Sequence, residues 1–344
     1  MSSASPPPPQ ESANASPAVE VDPGVVPGEE IDPADSAVGV SSIESTASLT
    51  ESILAYRVLQ GRRYQSSKTT EYWAPNDEQQ NEGLDILHNG FTMLLSDRLF
   101  LAPIGDKPER VLDVATGTGI WAIDVADQFP GAEVTGTDIS PIQPPWVPPN
   151  LKFVIDDLNL EWTWPENHFD YIHLRVLYGC VADWGELYRK TFRHLKPGGW
   201  VESMEMDTKL ESDHIQFREQ EALDGWAELF VQAGEKMGRS FAISQGHTMK
   251  DLMEGAGFVD IVERKIKMPI GSWPKDPKLQ QAGLLIKYAL EQSLEGLPMF
   301  IGTQVMGWAP EEISVLVAKV RKEVKTKSNC SYVTTTIVYG RKPE

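Results

Sequence analysis

The stretch VLDVATGTGIWA, Val111 to Ala122, sets the reading of the chain. Its opening residues are apolar apart from Asp113, as in a short buried strand, and helix-compatible residues resume at Ile120. Between them lies Ala115-Thr116-Gly117-Thr118-Gly119. Gly117, Gly119 and Ala122 form G-x-G-x-x-A at a strand-to-helix turn, where glycines let the backbone approach a bound ligand closely. Alone, this pattern suits a dinucleotide pyrophosphate as well as other nucleoside cofactors, so the neighbouring residues must decide.

Outward from the turn, the chain alternates strands and helices. Strands are predicted over Arg110–Val114, Glu133–Thr137, Leu151–Ile155 and Phe169–Leu174, with a helix over Ile120–Gln128. A helix over Trp184–Leu195 stops at Lys196-Pro197-Gly198-Gly199, and a strand over Trp200–Met206 follows. That rhythm predicts an α/β sheet of mainly parallel strands. Helices are then expected near Ile215–Ala233 and over His247–Ala256, and strands over Phe258–Lys267 and Tyr332–Tyr339. Two helical patterns, Lys278–Leu294 and Pro310–Glu323, fill the interval before the last strand. They predict a helical insertion at about 275–325, a length that commonly forms a lid or a binding wall. Upstream, Leu84, Leu87, Phe91, Leu94, Leu95 and Leu99 repeat at helical spacing. They predict an amphipathic helix over Glu78–Leu101 within an N-terminal helical cap, 51–108, leaving 109–344 as the main domain.

Charge narrows the ligand. A carboxylate at Asp113, ending the first strand, repels a pyrophosphate but suits a cationic amino-acid group, so S-adenosylmethionine fits better than a nicotinamide dinucleotide. Asp138 ends the second strand, where an acid can accept hydrogen bonds from both ribose hydroxyls. Asp156-Asp157 follows the third, where a carboxylate can accept from the exocyclic amine of adenine.

The blocks VLDVATGTGIWAIDVA, GTDIS, FVIDDLN, NHFDYIHLR and HLKPGGWVE resemble the ordered motifs of Rossmann-like class I S-adenosylmethionine-dependent methyltransferases. YRVLQGRRYQ, YWAPNDEQQNEGLDILH and the closing VYGRKP are similar to the fungal LaeA-like branch. The resemblance implies that Asp113, Ala115, Gly117 and Gly119 line the methionine side of the cofactor. It implies that Asp138 and Ile139 hold the ribose and flank the adenine, and that Asp157 and Leu158 recognise the adenine edge. His173 to Val176 are expected to face the sulfonium. Ala115 stands where many relatives carry a first glycine. The setting implied is fungal secondary metabolism, with a small-molecule or protein methyl acceptor. A cofactor-binding regulatory module acting through a velvet-type protein is the alternative, and a nicotinamide-dependent oxidoreductase is a third.

Candidate catalytic residues are Glu205, at the end of the strand after the KPGG turn, and His88 on the upstream helix. A lone histidine on such a helix is more often a structural residue than a base, and alternation along the strand turns at most one of Glu202 and Glu205 inward, Glu205 at the strand's end being the better candidate. Arg57, Arg62, Arg63 and Tyr64 are candidates to close over a cofactor carboxylate, or form a solvated basic patch. Tyr72 and Trp73 can wall a substrate pocket or simply pack.

Composition excludes other classes. With 31 basic and 50 acidic residues the net charge is -19, unfavourable for nucleic acid or an anionic membrane. The two cysteines, Cys180 and Cys330, have no metal or disulfide spacing, and no His/Cys/Asp cluster suggests a metal. No apolar run is long enough to span a bilayer, so a cytoplasmic and/or nuclear protein is expected. Residues 1–50 hold no Lys, Arg or aromatic residue, and are expected to form a disordered acidic tail.

Overall fold

The structure is a computed structural model that describes residues 56–65, 70–213 and 221–344; the expected acidic tail lies outside them. Seven strands form one sheet: β3 (Arg110–Val114), β4 (Glu133–Asp138), β5 (Leu151–Ile155), β6 (Phe169–Arg175), β7 (Leu195–Glu211), β8 (Val259–Pro269) and β9 (Tyr332–Arg341). Their spatial order is β5-β4-β3-β6-β7-β9-β8. The first five are parallel, whereas β9 runs antiparallel to both β7 and β8. This is the expected Rossmann-like α/β sheet. Its antiparallel last strand, inserted between β7 and β8, departs from the all-parallel order of dinucleotide-binding domains.

Strand order reverses between β3 and β6, so the crevice beyond their carboxyl ends is the topological switch point where such sheets bind ligands. α2 (Ile120–Gln128) covers one face of the sheet, where Trp121, Ala122 and Val125 pack with Val111, Val134 and Tyr171. α3 (Trp184–His194) and α5 (Thr248–Ala256) cover the other, with Leu187, Tyr188 and Met253 against Leu112, Ile172 and Val201. Their ends follow local chemistry. The Asp183 side chain caps α3 by accepting from the Glu186 amide, and α5 stops at Gly257 in the left-handed region, φ 99°.

Over the carboxyl edge sits a helical layer. It contains α1 (Glu78–Leu94), α4 (Glu221–Met237), α6 (Pro277–Ser293), α7 (Gly296–Phe300) with a π-helical turn over Ile301–Met306, and α8 (Pro310–Lys325). The expected insertion before the last strand is present as α6 to α8. Two expectations are corrected. α1 ends at Leu94 rather than Leu101, because Ser96 and Asp97 adopt positive φ (58° and 62°) and leave the helical path. The segment expected to be a helical cap begins instead as a hairpin, β1 (Tyr56–Leu59) and β2 (Arg62–Gln65), turning through Gln60-Gly61. Arg62 joins hairpin to helix: it donates to both oxygens of Asp77 at 2.6 and 2.8 Å, while Asp77 caps α1 by accepting from the Gln80 amide.

Candidate active site

One cavity of about 240 Å³ opens at the switch point, lined by residues from the ends of β3, β4, β5, β6 and β7 and roofed by α1, α4 and α6. The β3 turn contributes Asp113, Ala115, Thr116 and Gly117; β4 gives Asp138 and Ile139, and β5 gives Asp157 and Leu158. The expected acids therefore meet on one wall.

Asp113 is 4 % exposed and carries two internal partners, the Thr116 hydroxyl and His173 Nδ1 at 2.8 Å. Burial drives the His173 ring down to about 4, against the opposing pull of Asp113. The ring is thus neutral near pH 7, and its Nδ1–H donates to Asp113. Asp138 accepts backbone N–H bonds from Gly117 and Ser140, each at 2.9 Å. Burial still lifts its carboxyl to about 6. Asp157 accepts from the Asn159 amide at 3.0 Å, which fixes its orientation at the β5 end.

Gly117 and Gly119 do different work. Gly117 has φ 60°, and a Cβ there would meet only Leu84 Cδ1 at 3.9 Å, on the cavity side. The room beside its backbone is room for a ligand. Gly119 is not in the cavity lining; it begins α2 with φ 82°, and a Cβ there would fall 2.3 Å from Phe153 Cζ. Its placement on the methionine side is therefore corrected: it admits an aromatic ring from β5.

His173 is corrected likewise. It lies flat against Trp121, centroids 3.6 Å apart and planes 6° from parallel, behind Asp113 and outside the lining. Of the stretch expected to face the sulfonium, Arg175 and Val176 do line the cavity. Glu205, expected to face the acceptor, is fully buried behind that wall. Its carboxylate accepts from the backbone amides of Leu177 (2.9 Å) and Tyr178 (3.0 Å), which positions the β6 exit loop. Glu202 does the same for Leu101 and Ala102, both at 2.7 Å. His88 lines the cavity, but both ring nitrogens are engaged, Nε2 with Asp124 at 2.8 Å and Nδ1 with Arg175 at 3.1 Å.

The arginines proposed to clamp a carboxylate lie elsewhere. Arg57 pairs with Glu71 and sits over the Phe300 ring, Arg62 holds Asp77, and Arg63 holds Asn76. Tyr64 donates to the Gly296 carbonyl at 2.7 Å. This cluster fastens the hairpin to the helical layer. Tyr72 and Trp73 do line the cavity, and Trp73 also packs edge-on against Phe241 and Phe230.

The same cavity is also lined by apolar side chains from the sheet edge and the helical layer. Phe91, Met206, Leu210, Trp226, Phe230 and Leu290 are among its walls. Among the lining residues, Gln80 Oε1, Asn81 Oδ1 and Thr208 Oγ1 are buried without a hydrogen-bond partner among the described residues. Buried polar atoms left so are costly, and a polar ligand would satisfy them. Among the described residues no group of three or more His, Cys, Asp or Glu could hold a metal ion, and no helix is long and apolar enough to cross a membrane.

A parallel sheet with an antiparallel last strand, a glycine turn with open room beside it and acids at three successive strand ends together define a Rossmann-like class I methyltransferase. A methyltransferase-domain family profile matches residues 86–263. Methyltransferase pytC of Aspergillus terreus is 35 % identical over 308 residues, 89 % of this chain and 94 % of that protein. The secondary metabolism regulator LAE1 of Cochliobolus heterostrophus is 36 % identical over 290 residues, 83 % and 94 % of the two chains. The protein-methionine methyltransferase laeA of Emericella nidulans is 36 % identical over 285 residues, 82 % and 75 %. The chain belongs to this LaeA-like methyltransferase family.

Residues present fit S-adenosylmethionine. Asp113, Asp138 and Asp157 line one wall as acceptors that would hold its ammonium, ribose hydroxyls and adenine amine, and Gly117 leaves open space beside the backbone.

Proposed function

We propose that this chain methylates a small, largely apolar acceptor held against the apolar walls of the cavity, using S-adenosylmethionine bound along the ends of β3, β4 and β5. The observation that carries the reading is that one cavity is lined both by the acids and by aromatic and aliphatic side chains. When bound, the cofactor supplies an already activated methyl group on a sulfonium, ready for in-line displacement.

The chain's own residues then have three tasks. Asp113, Asp138 and Asp157 bind the polar groups of the donor. Leu177 and Tyr178, held by Glu205, form the floor on which donor and acceptor meet. Phe91, Trp226 and Phe230 enclose the acceptor and exclude water, so alignment and desolvation lower the barrier. His88 takes no part as a base, since both nitrogens are committed.

Incubation with methyl-labelled cofactor and separated small-molecule and protein fractions of a fungal extract tests the reading. Label in an extractable small molecule, abolished by Leu290→Trp without loss of cofactor binding, is the expected result. Label confined to protein, such as a methionine thioether, would replace the small-molecule acceptor with a protein one. Cofactor binding without any transfer would favour a regulatory module that docks a velvet-type partner.

A further inference from the structure

Arg175, the last residue of β6, is a half-buried cation at the cavity wall, and its nearest carboxylates do not pair with it. Among the described residues it makes no ion pair. Its one hydrogen-bond partner is His88 Nδ1 at 3.1 Å, and its guanidinium lies 5.6 Å from the centroid of the Phe91 ring. The acids that face it are Asp113, Asp124 and Glu202. Each is occupied elsewhere, Asp113 with His173 and Thr116, Asp124 with His88, and Glu202 with the amides of Leu101 and Ala102. A guanidinium that lines a cavity with several donors unused by the protein is placed to receive an anion there.

His88 fixes where those donors point. Arginine has no acceptor, so in this contact Nη1 donates and Nδ1 accepts. The ring then carries its hydrogen on Nε2 and donates it to Asp124. Asp124, His88 and Arg175 thus form a chain running from α2 through α1 to the end of β6. Arg175 and Asp113 lie on neighbouring parallel strands, β6 and β3, and both line the cavity. Opposite charges set side by side are what an α-amino acid zwitterion requires.

We propose that Arg175 binds the methionine carboxylate of the cofactor, with His88 and Asp124 as positioning residues that hold its guanidinium toward the ligand. The proposal rests on the methyltransferase reading above. A planar guanidinium can bind a carboxylate through two parallel N–H bonds, which a lysine ammonium cannot reproduce.

Three ligands separate the interactions: S-adenosylhomocysteine, its decarboxylated counterpart that keeps the amine, and 5′-methylthioadenosine, which lacks the whole amino-acid end. In Arg175→Gln, calorimetry should show affinity for S-adenosylhomocysteine reduced at least tenfold, with the other two changed by less than about twofold. Asp113→Asn should weaken both amine-bearing ligands and spare methylthioadenosine. His88→Ala should reproduce the selectivity of Arg175→Gln with a smaller loss. Equal weakening of all three ligands by Arg175→Gln would make the residue a general structural support and overturn the proposal. Unchanged affinity for S-adenosylhomocysteine would also overturn it, and would leave an acid on the acceptor as the anion's source. If Arg175→Gln does not fold, the wild-type protein and Arg175→Lys decide. Wild type must prefer the carboxylate-bearing ligand at least tenfold over the decarboxylated one, and lysine must erode that preference. Failure of the wild-type protein to bind any of the three would instead overturn the methyltransferase reading itself.

Discussion

His173 donates from Nδ1 to Asp113 at 2.8 Å while its ring lies against Trp121, so a neutral imidazole braces the carboxylate that ends β3 at the cavity wall. Asp113→Asn should weaken S-adenosylhomocysteine about 10- to 100-fold, the range of one charge-assisted hydrogen bond of about 1.5–3 kcal/mol. His173→Ala keeps the charge but removes the brace and opens a void beside Trp121. It should lower thermal stability and weaken binding less than Asp113→Asn. Calorimetry and thermal melts on the two variants check the division of labour.

The two glycines of the turn should separate binding from folding. Gly117→Ala meets no close protein atom, so its cost to the free protein is the left-handed backbone, about 1–2 kcal/mol. Its methyl occupies ligand space, and cofactor affinity should fall at least tenfold in a folded protein. Gly119→Ala puts a methyl into the Phe153 ring as well as straining the backbone. Overpacking of that kind adds about 1–3 kcal/mol to the loss. Denaturant unfolding should therefore register Gly119→Ala far more strongly than Gly117→Ala.

What could be read in the sequence, and what could not, follows from the reach of each signal. That Asp138 and Asp157 would line one cavity was legible because each closes an apolar run at a strand end, and the parallel sheet brings those ends together. The hairpin was not anticipated, although Gln60-Gly61 carries a turn signal: both adopt positive φ, 48° and 78°, the two-residue turn that suits a hairpin. Its short, arginine-rich strands show little alternation. Glu205 and His173 illustrate a different limit. Period-two alternation gives the face a side chain takes, not whether a backbone amide or a ring lies between it and the cavity. Arg175 was expected at the cavity only as part of the His173 to Val176 stretch; its charge, ending the largely apolar run FDYIHLR, is the signal that sets it apart from its neighbours.

Asp138 gives cofactor binding a pH dependence. Burial raises its carboxyl to about 6, and the ribose hydroxyls donate best to the ionised form. Affinity should rise between about pH 5 and 7 and then level off. Asp138→Asn should flatten that rise, as calorimetry across the range would show. Asp138→Ala should weaken cofactor and demethylated product alike, by at least tenfold for the loss of two hydrogen bonds. Because the ribose is remote from the methyl, saturating cofactor should restore much of the turnover.

Glu205 carries the last prediction. Burial pushes its carboxyl from 4.5 up to about 8, against the pull of the Leu177 and Tyr178 amides. Between those values the folded protein holds a proton that the unfolded chain has released. Its contribution to stability is therefore fully present below about pH 4.5 and is lost as pH rises through about 8. Glu205→Gln keeps an acceptor for the amides without the titration. The melting temperature of the wild type relative to Glu205→Gln should therefore fall as pH is raised from 5 to 8.5. Glu205→Leu abandons both buried amides, and at about 1–3 kcal/mol for each unsatisfied group it should destabilise the fold at every pH in that range. If Glu205 instead deprotonated an acceptor, Glu205→Gln would abolish transfer as well. The buried geometry requires a flattened stability profile with transfer largely retained.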